Sequence, residues 1–164
     1  MTLDDEDEAK ALSLHLDSLN RERQTLESIV LDAAIAQIGD PGDAPVLCVH
    51  ARGWHPGVVG IVASRLKDRF RRPAVVIGFD DGVGKGSGRS IAGVDLGAAI
   101  IAARQEGLLV AGGGHAMAAG LTIEEGQLEP FKDFLIKWLS VSVRQAQADA
   151  GLALDGVLSL SGVT

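Results

Sequence analysis

Residues 112–120 read Gly-Gly-Gly-His-Ala-Met-Ala-Ala-Gly, and no other stretch narrows the folding options of this chain as much. Three consecutive glycines are backbone without side chains. Positive φ is open to them, and another molecule can come close to the main chain. The residues after His115 are small, which predicts close backbone packing behind the histidine. Consecutive bare N–H groups can form a concave anion site, a nest. They also suit a tight turn between two core elements, with His115 making a local hydrogen bond. The rest of the chain bears on which reading applies.

The chain has 164 residues, 46% of them hydrophobic, and a net charge of −7. That suffices for one cored domain and a smaller element. The acidic excess argues against a polyanionic partner until its distribution is read. Residues 1–49 hold 3 basic and 11 acidic side chains, residues 50–104 hold 9 and 4, and residues 105–164 hold 3 and 7. The middle third is a basic island, and binding answers to local potential rather than total charge. Arg65, Lys67, Arg69, Arg71 and Arg72 suit the solvated C-terminal end of a helix. Arg52, Lys85 and Arg89 fall outside that explanation. The single cysteine, Cys48, lies in an apolar run as a small buried hydrophobe, so no intrachain disulfide framework or cysteine-based zinc site is expected. No stretch approaches the ~20 apolar residues of a membrane span. The acidic start, Thr2 to Glu8, is neither a signal nor a transit peptide, so a cytoplasmic protein with no membrane partner is expected.

In chain order, residues 4–38 read as one long helix. It has an acidic start, then Leu12, Leu16, Leu19, Leu26, Ile29, Val30, Ala33 and Ile38 at near-helical spacing. A break at Asn20 is the alternative. After a Gly/Pro loop, Val46–His50 has strand length and composition. Arg52–Gly57 is a strand-to-helix corner, with Pro56 in the first turn of the helix. Val58, Val59, Ile61, Val62, Leu66 and Phe70 form its apolar face, and Gly57 and Gly60 allow it close to a sheet. His55 then stands at a helix N-terminus, where phosphates bind readily. A capping or core histidine is an equal reading.

Pro73–Phe79 is a strand buried on both faces, and Asp80-Asp81-Gly82 a turn. Val83–Ile91 alternates glycine with Lys85, Ser87 and Arg89, which predicts that something lies against the strand. A cation, a hydroxyl and a guanidinium in one row match a phosphodiester backbone. A charge-blunted edge strand is the rival, but it leaves the glycines unexplained. Asp95 caps a helix, Leu96–Glu106, that Gly107 ends. Leu121–Ile123 is a strand. Gln127–Ala148 is a helix with Leu128, Phe131, Phe134, Leu135, Trp138 and Leu139 inward. Leu152–Leu158 starts another strand. The expected fold class is α/β, a mixed β-sheet of about four or five strands flanked by helices and preceded by a long linker helix. Residues 1–40 form the linker helix, 41–148 the main domain, and 149–164 the start of another.

Self-sufficient metal-dependent hydrolysis needs clustered carboxylates and histidines. His15, His50, His55 and His115 form no ligand-spaced pair. Asp68, Asp80, Asp81, Asp95 and Glu106 sit in helix-surface, turn or cap positions. Gly82–Gly86 lacks the Lys-Ser/Thr ending of a P-loop. The residues therefore describe a phosphate- or polyanion-binding α/β domain without its own catalytic centre.

Gly112-Gly113-Gly114-His115 with Ala118-Ala119-Gly120 resembles the signature of the DHHA1 domain, the companion of the DHH phosphoesterase domain. Trp54–Leu66, Gly86-Ser87-Gly88-Arg89-Ser90 and the helix segment Leu19–Gln24 are similar to the RecJ family of single-stranded-DNA exonucleases. The likeness runs over residues 10–140. The resemblance implies a two-lobed 5′-to-3′ exonuclease whose DHH lobe, bearing Mn2+ or Mg2+, is not in this chain. It implies no cofactor bound by this piece, a chain that begins in the linker helix, and a following OB-fold that would start near Thr164. Single-stranded DNA and the DHH catalytic domain are the implied partners. By position, Ser87, Arg89 and Ser90 would contact backbone phosphates. Gly112, Gly113, Gly114 and His115 would cradle a phosphate near the scissile bond, with His55 at the same groove and Lys85 beside them on its strand. No metal ligand or catalytic residue carries over. A DHH–DHHA1 phosphodiesterase lobe for cyclic dinucleotides or very short oligonucleotides fits the same phosphate motif. A non-catalytic docking module is the third reading.

Overall fold

The computed structural model describes residues 3–149, and its elements follow local sequence signals closely. Helix α1, Leu3–Ile38, is unbroken through Asn20. It ends where Gly39, at φ 57°, donates its N–H to the Ile35 carbonyl, a left-handed C-terminal cap. Strand β1, Leu47–Arg52, leads through a tight corner into helix α2, Pro56–Phe70. Strand β2, Ala74–Asp80, and strand β3, Val83–Arg89, form a hairpin. Its two central residues, Asp81 and Gly82, both have positive φ, the type I′ geometry that matches strand twist. Helix α3, Leu96–Gln105, is capped by Asp95, which accepts from Ala98 N–H at 2.9 Å. Strands β4, Ala111–His115, and β5, Ala118–Glu124, form a second hairpin, and helix α4, Leu128–Ala148, follows one 3-10 turn. The strand expected at Leu152–Leu158 lies outside the described residues.

The result is the mixed five-stranded sheet that the sequence predicts, in the order β1-β2-β3-β5-β4. β1 and β2 are parallel, and the other pairs are antiparallel. Helices α3 and α4 pack on one face. There Val75, Ile77, Phe79, Leu121 and Ile123 meet Leu96, Ile100, Phe131, Leu135 and Leu139. Helices α1 and α2 pack on the other face, where Leu47, Val49, Ala74 and Val76 meet Val30, Ala34, Val58, Val62 and Leu66. The apolar residues of this second core come from β1 and β2 alone among the strands, and α2 also lies along β3, with Gly60 beside Ser87 and Arg89, so the β5–β4 part of that face is left open.

Three expectations need correction. The alternating glycines of β3 do not face a ligand, and the rival edge-strand reading falls too, because β3 is central in the sheet. Its glycines face the protein's own core: a Cβ on Gly84 would sit 2.7 Å from Ile77 and Phe79, and one on Gly88 2.6 Å from Leu96. Large side chains from both neighbouring strands and α3 fill the space above a bare strand, so the alternating glycines are a packing device. Trp138 is 50% exposed, stacked on Phe134 at 5.4 Å between ring centroids, rather than inward. In α1, Leu12, Leu16, Leu19, Leu26 and Ile29 are all exposed. Among the described residues of this helix, Glu27, Val30 and Ala34 are the buried ones. Among the described residues, no helix is long and apolar enough to cross a membrane.

Candidate functional site

Strand register assembles the site. Residues directly opposite one another on neighbouring strands share a face. The pairings Lys85–Thr122–Ala111, Ser87–Gly120–Gly113 and Arg89–Ala118–His115 therefore form three adjacent rows. They lie on the half-open face, because Val76, which belongs to the α2 core, is the partner of Ser87. At ~3.3 Å per residue, Lys85 and Arg89 are about 13 Å apart along the strand.

The middle row is a floor of bare backbone. A Cβ on Gly113 or Gly120 would meet no atom within 4 Å, and neither glycine has positive φ. Packing and backbone conformation therefore leave both glycines unexplained. Beside this floor, Arg89 Nη1 donates to Ser87 Oγ and to the Gly88 carbonyl, both at 2.9 Å. The half-buried Arg89 guanidinium has no carboxylate partner among the described residues, and neither has the exposed Lys85. None of the nine residues in the rows is acidic. A partly desolvated cation without a counter-ion, next to an open floor, attracts an anion and holds it by charge-assisted hydrogen bonds.

The rows gather most of the residues the sequence singled out. Lys85, Ser87, Arg89, Gly113 and His115 lie on one face. Gly112 and Gly114 do not join them. A Cβ on Gly112 would approach Ile100 at 2.9 Å, and one on Gly114 would overlap Ala118 and Ala119. Their strand alternation turns them to the α3 side, and none of the three glycines has the positive φ of a nest. The triplet is an extended strand, so it forms neither the expected cradle nor a turn. Ser90 is fully buried, its Oγ donating to the Val94 carbonyl at 2.8 Å and its N–H to the Met117 carbonyl. It ties the β4–β5 turn in place and is closed to a ligand. Arg52, another unexplained cation of the sequence, donates to both Glu125 carboxylate oxygens at 2.9 and 3.0 Å.

His55 caps α2, its Nδ1 accepting from Gly57 N–H at 3.0 Å. The loop carrying it crosses the sheet at Gly78, where a Cβ would overlap the Trp54 carbonyl. Gly78 is the register partner of Lys85. His55 thus belongs to the Lys85 end of the rows and His115 to the Arg89 end. At that end Gly97 lets α3 touch the β4–β5 turn: a Cβ there would sit 2.8 Å from the His115 carbonyl. Besides Ala111 and Ala118, two members of the face had no role assigned from sequence, the hydroxyl-bearing Thr122 and the floor glycine Gly120. Counting by twos from Gly120 along a strand, rather than reading 112–120 as a glycine loop, would have found both. Among the described residues, no group of three His, Cys, Asp or Glu side chains could hold a metal ion. The chemistry these rows offer is the holding of an anion.

A sequence model of the DHHA1 domain family matches residues 43–141. The single-stranded-DNA-specific exonuclease RecJ of Bacillus subtilis is 46% identical over 124 residues, covering 74% of this chain and 16% of the relative. The Escherichia coli RecJ is 36% identical over 172 residues, covering 96% of this chain and 29% of the relative. The crystal structure of RecJ in complex with Mg2+ from Thermus thermophilus superposes with a TM-score of 0.74 at 36% identity, covering 82% of this chain and 21% of that one. The chain spans less than a third of the length of these relatives.

Proposed function

The chain belongs to the DHHA1 domain family, and from that membership we propose that its half-open sheet face is the nucleic-acid grip of a RecJ-like, single-stranded-DNA-specific 5′-to-3′ exonuclease. The bare floor at Gly113 and Gly120, beside an Arg89 guanidinium without a counter-ion, carries this reading. Glycine is unfavourable in a strand relative to alanine. Two glycines that the fold does not need are accounted for when a ligand's backbone lies against them. Ser87 Oγ already accepts from Arg89, which leaves its proton for a phosphate oxygen. Arg89 keeps Nη2 and Nε, and Lys85 adds a mobile charge at the other end. Contacts of this kind read phosphate and sugar rather than base edges. Hydrolysis is assigned to a metal-bearing lobe outside this chain, and this chain alone is expected to leave DNA intact.

The test is anisotropy titration of labelled oligothymidine across a salt series with wild type and Arg89→Ala. Charge-assisted hydrogen bonds are worth ~1.5–3 kcal/mol, so the variant should bind about tenfold to a hundredfold more weakly. Its salt slope should fall by about 0.7 for each single-strand phosphate that the variant no longer neutralises. Equal affinity for both proteins would refute the assignment. An affinity that stops rising after the first few nucleotides would move the site to small nucleotides.

A further inference from the structure

Gly60 lies in the interior of α2, where glycine is the poorest helix former after proline. The three heavy atoms nearest to a Cβ built there are Arg89 Nη2 at 3.2 Å, Ser87 Oγ at 3.2 Å and Ser87 Cβ at 3.7 Å. Contacts at 3.2 Å are tighter than a carbon normally tolerates, so a methyl group would push both polar atoms aside by a few tenths of an ångström. Both belong to the candidate phosphate grip, and they are already joined through Arg89 Nη1 and Ser87 Oγ at 2.9 Å. We infer that Gly60 is a positioning residue: its missing side chain is the slot that lets Arg89 and Ser87 aim their remaining donors at one phosphate.

This inference rests on the phosphate-grip reading, and it assigns α2 a part in that grip. The Arg89 guanidinium is pinned on one side by Ser87 Oγ and the Gly88 carbonyl. Its Nη2 lies against the flank of α2 at Gly60. With one nitrogen pinned, lateral pressure on Nη2 rotates the whole planar group. A rotated guanidinium loses the paired geometry that makes arginine an effective phosphate ligand.

The experiment compares wild type, Gly60→Ala, Arg89→Ala and the double variant in oligothymidine anisotropy at several salt concentrations, with thermal melts of each. Gly60→Ala should bind about threefold to tenfold more weakly, with a shallower salt slope. The double variant should bind nearly as Arg89→Ala alone does, because the methyl group then no longer turns a guanidinium and displaces only Ser87 Oγ. If Arg89→Ala weakens binding and Gly60→Ala does not, the inference fails and the grip stands. If Arg89→Ala itself changes nothing, the grip fails. If Gly60→Ala weakens binding equally in the presence and absence of Arg89, the glycine serves packing only and the inference fails. If Gly60→Ala does not fold, the clash with the guanidinium is the expected cause. Gly60→Ala/Arg89→Lys, with its slimmer ammonium group, must then fold, and failure of that variant overturns the inference.

Discussion

Replacing both floor glycines, Gly113→Ala with Gly120→Ala, should separate stability from binding in opposite directions. The two residues are register partners on β4 and β5. Neither Cβ would meet an atom within 4 Å, and neither backbone has positive φ. Each substitution therefore removes the entropic penalty of a strand glycine, ~0.5–1 kcal/mol, without a clash. Taken additively, the pair should gain about 1–2 kcal/mol. For a chain of this size that raises the melting temperature by about 2–8 °C. The same two methyl groups stand where the phosphodiester backbone is proposed to lie, so affinity for oligothymidine should fall at least tenfold, ~1.4 kcal/mol. Circular-dichroism melts and anisotropy titrations on the same preparations measure both. A variant that melts higher and binds as tightly as wild type would refute the floor as a ligand surface. A variant that melts lower would refute the premise that the fold leaves this space open.

Other perturbations probe the scaffold. Glu27, with a side chain only 12% exposed, accepts from Arg23 at 3.2 Å and from Arg65 of α2 at 3.3 Å. Glu27→Gln should cost about 1–2 kcal/mol, discounted because Arg65 is 64% exposed; an unchanged urea midpoint would remove this pair from the contacts that dock α1. Burial pushes the Cys48 thiol from 9.0 up to about 12. Native protein at mildly alkaline pH should therefore react with iodoacetamide markedly more slowly than urea-unfolded protein, and similar rates would contradict a desolvated sulfur. His50 is half-buried, with Phe79 edge-on at 6.0 Å, and its pKa is lowered first by burial and then by the Lys132 charge. The fold thus favours the neutral ring. Stability is full above the unfolded value near ~6.5 and declines as pH falls below it, because the unfolded chain takes up a proton that the fold resists. His50→Gln should flatten that decline between neutral and mildly acidic pH in urea titrations, and an identical profile would assign it elsewhere.

The amino-acid sequence alone determined those features whose cause is local. Pro56 opens α2, Asp95 caps α3, Asp81-Gly82 turns the β2–β3 hairpin, and the apolar run before Asp80 makes a doubly buried strand. In each case the deciding interaction spans a few residues, so the signal is written where it acts. The cationic strand Lys85–Arg89 and His115 were also legible, because few residue types hold a phosphate. Tertiary structure decided which side of each strand mattered. Alternation is visible in sequence, but the identity of the buried face depends on partners far along the chain. The glycines of β3 yield to Ile77, Phe79 and Leu96, whereas Gly113 and Gly120 face open space. Gly112 and Gly114 are the same residue type one position away, turned to the other side by the pleat. Ser90 reads as one more hydroxyl of the cationic strand until the β4–β5 turn closes over it and takes its hydrogen bonds. The proposed phosphate-binding chemistry was thus legible in residue types. The surface that presents it came from register between strands and from helices α1 and α2 covering only part of one face, leaving Arg89 beside bare backbone.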